Sequence, residues 1–259
     1  MSAGNERFNS EAATWNEKPD VVRGAGLAFA AILALRPDLD EAKAHGTAAT
    51  NGIDVLEIGC GTGLLALQMA PYVRSIVAVD AAQGMIDVLR QRLAETPEAA
   101  NISSLCAILE DPEDPVLPPA VETVTGSGSA GPRRKFDLIT SHLVLHHIPD
   151  HAALLKTLHG CLKPGGQVAL TDFEDFGPEA RRFHPEDRMA GVEHHGINAA
   201  LFARQMRNSG FEDVVVKPEW TMDKMVEHFP GQFANGKPEN GGDTLTFPFL
   251  LCKGTKRRL

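Results

Sequence analysis

The most constraining feature of the chain is Val55-Leu56-Glu57-Ile58-Gly59-Cys60-Gly61-Thr62-Gly63, an apolar run that breaks on three alternating glycines. Ile53 to Ile58 reads as a buried strand, and a helix resumes from about Leu64 to Ala70. Glycines at such a turn allow φ > 0 and leave no Cβ between the backbone and a ligand. The helix start offers unpaired N–H groups and a positive dipole end, suited to a carboxylate or a phosphate. A second strand, Ser75 to Val79, ends at Asp80, where an acid can take both hydroxyls of a ribose. The GxGxG spacing departs from the GxGxxG dinucleotide fingerprint, and the absence of a following GK[ST] excludes a P-loop.

The same alternation of short strands and amphipathic stretches continues, which predicts a parallel sheet covered by helices. A helix is expected over Gln83 to Ala94, a third strand over Ser104 to Leu109 and a fourth over Phe136 to Thr140. A helix carrying Leu154, Leu155, Leu158 and Leu162 on one face should follow. Lys163 to Gly166 should form a turn, and Gln167 to Phe173 a fifth strand. A helix over Asn198 to Asn208 and strands over Val214 to Lys217 and Thr244 to Cys252 complete the pattern. Residues 112–135 hold prolines followed by a Gly/Ser-rich run and read as a solvated insertion. No domain boundary is indicated, so 1–259 is expected to be a single domain. Its parts are a cap and lead-in over 1–52, a ligand-binding core over 53–173 and a further part over 174–259.

Charge narrows the partners. The 25 basic and 34 acidic residues leave a net charge of −9, so a phosphate backbone or an anionic membrane is not attracted overall. The basic tail Lys253, Lys256, Arg257 and Arg258 reads as a solvated end. No apolar run is long enough to span a bilayer, and residues 1–16 are too polar and acidic for a signal or transit peptide. The four cysteines, Cys60, Cys106, Cys161 and Cys252, form no CxxC pair, which predicts a reducing, cytoplasmic setting.

The glycine turn with Glu57 and Asp80 resembles the first motif and ribose-binding acid of class I S-adenosylmethionine-dependent methyltransferases. Phe136 to Ile148 and Leu162 to Gly166 resemble the fourth-strand motif and the following turn of small-molecule enzymes of the ubiquinone-biosynthesis type. The resemblance covers about residues 53–173. It implies a Rossmann-like α/β fold with a seven-stranded sheet in the order 3-2-1-4-5-7-6. It also implies S-adenosylmethionine as methyl donor, S-adenosylhomocysteine as product and a small organic acceptor.

Carried to this chain, the resemblance assigns Glu57, Gly59, Cys60, Gly61 and Gly63 to the methionine and ribose parts of the cofactor. Asp80 and Ala81 fall at the ribose and Met85 against the adenine, with Glu110 or Asp111 at the adenine amino group. Ser141 and His142 fall beside the methionine moiety. Trp15, with Phe8 and Ala12, resembles a cap that closes over the cofactor. The proline-rich insertion is longer than the family's usual connection.

Two histidine clusters stand out, His142, His146 and His147, then His184, His194 and His195. His146 and His147 are adjacent, so they do not place two ligands on one helical face, and zinc is not indicated. His194 and His195 follow the fifth strand on the side where α/β proteins bind ligands, which makes them candidate proton acceptors. Trp220 is a candidate wall of an acceptor pocket. Two alternatives to small-molecule methyl transfer stand beside it, a methyltransferase acting on protein side chains and a non-catalytic binder of the cofactor. A nucleic-acid enzyme is disfavoured by charge and by Ser-His-Leu where an Asn-Pro-Pro-Tyr motif would stand.

Overall fold

The computed structural model describes residues 3–120, 131–234 and 241–258. Its strands are β1 (Asp54–Ile58), β2 (Ser75–Asp80), β3 (Ile102–Cys106), β4 (Phe136–His142), β5 (Leu162–Phe173), β6 (Phe211–Val226) and β7 (Asp243–Lys256). They form one sheet in the expected order β3-β2-β1-β4-β5-β7-β6. The pairs among β1 to β5 are parallel, and β7 runs antiparallel to both β5 and β6. The helices are α1 (Ala3–Glu11), α2 (Pro19–Leu35), α3 (Pro37–Ala44), α4 (Ala48–Asn51), α5 (Leu64–Met69), α6 (Gln83–Ala94), α7 (His151–Cys161) and α8 (Ala199–Asn208).

Successive strand residues point to opposite faces, so a fully apolar strand feeds two cores. Leu56, Val77, Ile139 and Leu170 pack with Leu155 and Leu158 of α7 and Phe202 and Met206 of α8. Their neighbours Val55, Ile76, Ala78, Leu138 and Ala169 pack on the other face with Ile32 of α2, Leu65 of α5 and Leu89 of α6. Among the described residues, no helix is long and apolar enough to cross a membrane.

Three elements differ from expectation. β3 ends at Cys106, because Ile108 is 65% exposed and only Leu109 turns back into the core. Lys163 to Gly166 lies inside β5 as an irregularity, where the pairing register shifts between Phe136 and Leu138. β6 runs for 16 residues where four were expected. It pairs only with β7 at the sheet edge, where most of its exposed residues are polar, with Val215 and Met225 as exceptions, so its pattern reads as loop.

Residues 121–130 of the insertion, the greater part of its Gly/Ser-rich centre, lie outside the described residues. Its two flanks meet: Pro119 bridges Arg133, and the Ala120 N–H bonds the Pro132 carbonyl at 2.9 Å. A segment whose ends already touch contributes little beyond slowly varying closure entropy. Replacing residues 122–130 by two glycines should therefore leave the melting temperature and cofactor affinity unchanged, as thermal unfolding and calorimetry would show. Loss of soluble protein would mean that the segment packs on the domain.

Candidate active site

Strand order reverses between β1 and β4, and their carboxyl ends open the crevice where sheets of this kind bind ligands. The β1–α5 turn lines it. Gly59, Gly61 and Gly63 all have positive φ, at 66°, 53° and 80°. A Cβ on Gly59 would lie 2.2 Å from Val144, and one on Gly63 would lie 2.4 Å from Leu89. Those two glycines are fixed by packing. At Gly61 a Cβ would meet only the Trp15 indole, at 3.9 Å. The indole thus covers that face of the turn at about the distance a methyl group would occupy, and a ligand on the Gly61 backbone would have to displace it.

Asp80 closes β2 beside this turn and shapes it. Its carboxylate accepts the N–H groups of Gly61 and Ala82, each at 2.8 Å. Burial raises the Asp80 pKa, against the pull of those N–H groups. Glu57 is 2% exposed, with Oε2 lacking a partner among the described residues. Burial, with the Asp80 charge adding to it, pushes the Glu57 carboxyl up to about 8. Ser141 Oγ, Thr140 Oγ1 and His142 Nε2 are also buried without partners. Two acids held together at this cost, with unpaired polar atoms nearby, suit a ligand that carries positive charge and hydroxyls.

The N-terminal segment covers the crevice. Ala12 packs with Ala82 and Met85, flanked by Phe8 and Trp15. Asn9 Oδ1 accepts the Gly84 N–H at 2.7 Å, and Thr62 donates to Asn16 Oδ1 at 2.5 Å. Glu11 pairs with Lys18 and with Arg188.

Behind the cap lies a cavity of about 520 Å³ lined by Trp15, Leu143, His146, His147, His184 and Phe249, among others. Asp172, on β5, is fully buried and accepts from His146 Nδ1 at 2.8 Å and from the His146 N–H at 3.1 Å. Burial opposes charge on Asp172, yet His146 and these N–H bonds hold its carboxyl below the usual range. His147 Nδ1 faces the Gly191 carbonyl at 2.6 Å. Burial lowers its pKa to about 3, with His146 adding to the shift. His184 is driven well below the ordinary value, again chiefly by burial. His142 Nδ1 meets Thr171 Oγ1 at 2.9 Å, and burial lowers His142 to about 4.

The structure brings Trp15, Glu57, Gly59, Cys60, Gly61, Gly63, Asp80, Ala81 and Met85 to one region around the β1 and β2 ends. Ser141 and His142 stand across the crevice on β4. Glu110 and Asp111 do not end β3: both are exposed in a turn, where the Glu110 carbonyl accepts from Thr157 of α7 at 2.8 Å. The residues beside Asp80 are instead Cys106, in register with it on β3, and Ala107, whose N–H bonds the Asp80 carbonyl.

His194 and His195 are absent from the cavity lining. His194 Nε2 meets the Ile148 carbonyl at 3.0 Å, its ring lies 4.4 Å from His151, and its N–H supports the His146 carbonyl. His195 is exposed. Trp220 stacks on Phe249 at 5.3 Å, behind the cavity wall. Sequence reading passed over Asp172 and His184 as site residues. Asp172 did have a signal, an acid inside the apolar run Val168 to Phe173.

A family model described as a methyltransferase domain matches residues 26–216. An uncharacterised methyltransferase of Schizosaccharomyces pombe is 28% identical over 168 residues, covering 63% of this chain and 55% of the relative. A ubiquinone biosynthesis O-methyltransferase of Pseudomonas aeruginosa is 30% identical over 120 residues, covering 46% of this chain and 44% of the relative. The chain thus spans about half the length of these curated relatives. The crystal structure of the YcgJ protein from Bacillus subtilis superposes with a TM-score of 0.58 at 16% identity, over 86% of this chain and 99% of that one.

Proposed function

The chain belongs to the class I S-adenosylmethionine-dependent methyltransferases, and we propose that it methylates a small organic acceptor held in the cavity behind the cap. The donor of this family is S-adenosylmethionine and the product S-adenosylhomocysteine. The observation that carries the acceptor class is that cavity of about 520 Å³, a volume typical of small-molecule sites. A methyltransferase acting on a protein side chain would need a groove that admits a polypeptide, and the N-terminal segment narrows this cavity by lining it with Phe8, Glu11 and Trp15.

The residues around the turn fit the donor. Gly61 has no Cβ between its backbone and Trp15, Asp80 has lone pairs left for ribose hydroxyls, and the exposed Ile108 offers apolar surface for an adenine, whereas Met85 is buried under Ala12. Glu57 and Asp80 favour the positive sulfonium and ammonium of the donor over the diphosphate of a dinucleotide. When bound, the sulfonium supplies a methyl group that is already a good electrophile. What the chain adds is alignment and exclusion of water. Trp15 contributes to both, because it faces Gly61 and also lines the acceptor cavity. With His194 Nε2 spent on a carbonyl and His195 exposed, neither is placed to take a proton from an acceptor in this cavity.

Calorimetry tests the reading. S-adenosylmethionine and S-adenosylhomocysteine should bind in the micromolar range, on the order of −8 kcal/mol, and NAD should not bind. Methyl transfer to a panel of small hydroxyl, amine and thiol acceptors should exceed transfer to peptides. Tight NAD binding without any response to the methyl donor would end the proposal; turnover on peptides alone would move the acceptor class to proteins.

A further inference from the structure

We propose that His146, His147 and His184 form a binding site for a divalent transition-metal ion of the zinc class at the wall of the acceptor cavity. The proposal rests on the reading of that cavity as the acceptor site. Each residue offers one ring nitrogen, and these nitrogens lie within 4.8 Å of one another. Three imidazoles are a recurrent zinc donor set that leaves a fourth position for an exogenous ligand.

The hydrogen bonds around the rings fix which nitrogen is available. Carbonyl oxygens only accept, so the 2.6 Å contact of His147 Nδ1 with the Gly191 carbonyl puts the proton on Nδ1 and the lone pair on Nε2. The Asp172 carboxylate already accepts the N–H groups of Phe173 and His146, so it faces the His146 ring as an acceptor, and His146 likewise donates from Nδ1 and keeps its lone pair on Nε2. His146 Nε2 is buried without a partner among the described residues. The His184 ring has no hydrogen bond among them and is free to present either nitrogen.

A buried carboxylate behind one ligating imidazole and a backbone carbonyl behind another are the supports that orient metal-bound histidines. The 193–194 backbone adds a third support, since both N–H groups bond the His146 carbonyl at 3.0 Å. Buried polar atoms are ordinarily paired, and the unpaired Nε2 of His146 is what a ligand would satisfy.

Two features oppose the site, and the geometry sets their scale. Arg7 and Lys224 act electrostatically on His184 and weaken its hold on a cation. Asp172 at His146 and Asp187 on the cavity lining counter them, while Glu11 is already paired with Lys18 and Arg188. A tetrahedral ion with zinc–nitrogen bonds of about 2.0–2.1 Å needs ligand nitrogens about 3.3 Å apart. The rings must therefore close in. His184 follows the 3-10 segment Pro178–Phe183, outside the sheet, and its shift is the cheapest. The fourth position would face the cavity and take an anionic oxygen or sulfur donor of the acceptor.

The experiment uses the full chain, stripped with a chelator and titrated separately with Zn²⁺ and Co²⁺. Elemental analysis should find one zinc per chain, and Co²⁺ should give the visible absorption of a four-coordinate, nitrogen-ligated ion. Affinity should fall at least tenfold in His184→Ala and in His147→Ala, and about 10–100-fold in Asp172→Asn. It should be unchanged in His45→Ala, an exposed histidine at the end of α3. Zinc binding equal in wild type and His184→Ala would overturn the site. So would a six-coordinate Co²⁺ spectrum in the wild type, a result that needs no variant to fold. S-adenosylmethionine binding is measured on the same samples. Donor binding without metal defeats this inference alone, and metal binding without donor binding defeats the methyltransferase reading of the cavity.

Discussion

In Asp80→Ala, affinity for S-adenosylmethionine should fall at least tenfold, and the ligand-free protein should melt several degrees lower. On the proposed reading of this turn as the donor site, the affinity loss follows from removing the acceptor of the ribose hydroxyls, since charge-assisted hydrogen bonds contribute about 1.5–3 kcal/mol each. One such bond already exceeds the ~1.4 kcal/mol that equals a factor of ten. The stability loss follows from the protein's own bonds, because Gly61 and Ala82 donate to this carboxylate in the absence of any ligand. Asp80→Asn separates the two effects. Its amide oxygen still accepts one backbone N–H, so the melting temperature should largely recover while affinity stays low. Calorimetry and thermal unfolding on both variants provide the check. Unchanged affinity in Asp80→Ala would make this residue a brace of the turn and nothing more.

Asp80 shows how far the sequence could be read. The strand, the glycines and Asp80 were legible because their meaning is local: a hydrophobic run, a turn that needs positive φ and an acid at the next strand end. Sheet order came with the resemblance, and it agrees with the register of all six strand pairs. That Asp80 also accepts from Gly61 was not legible, since it depends on how β2 sits beside the turn.

Legibility failed where elements lie at an edge or meet only in three dimensions. β6 exposes one face to solvent, and its polar alternation hid most of its length. Glu110 and Asp111 were placed by assuming that β3 runs to Leu109, but the chain leaves the sheet after Cys106. The juxtaposition of His146, His147 and His184 was not legible, because spacing along one element says nothing about it. His146 and His147 lie in a short 3-10 turn, and the third imidazole arrives from beyond β5. No periodicity links His184 to that turn. Asp172 was hidden for a different reason: within an apolar strand, its acid makes sense only once His146 is seen against it.

Glu57 gives the other large effect, and its direction is unusual for an acid. Its pKa in the folded protein is about 8, raised by burial and by Asp80, while an unfolded glutamate titrates near 4.5. The folded state therefore binds more protons than the unfolded state between these values, so stability falls as pH rises through that window. The contribution is fully present below about pH 4.5 and lost by about pH 8, and its size is on the order of a few kcal/mol. Asp80 opposes ionisation from β2, and Cys60 in the turn has its thiol raised by burial and by both acids, so neither relieves Glu57. In Glu57→Gln this loss disappears, and the variant should gain on the wild type as pH is raised from 6 to 8.5. A donor carrying positive charge should reverse the penalty by favouring the carboxylate, so binding at pH 7 should release a proton in the wild type and none in Glu57→Gln. Denaturant unfolding across pH, and calorimetry in buffers of different ionisation enthalpy, read the two effects separately. Parallel pH profiles of stability in the two proteins would mean that Glu57 is ionised and partnered in the folded chain, and the charge argument for the donor would then rest on Asp80 alone.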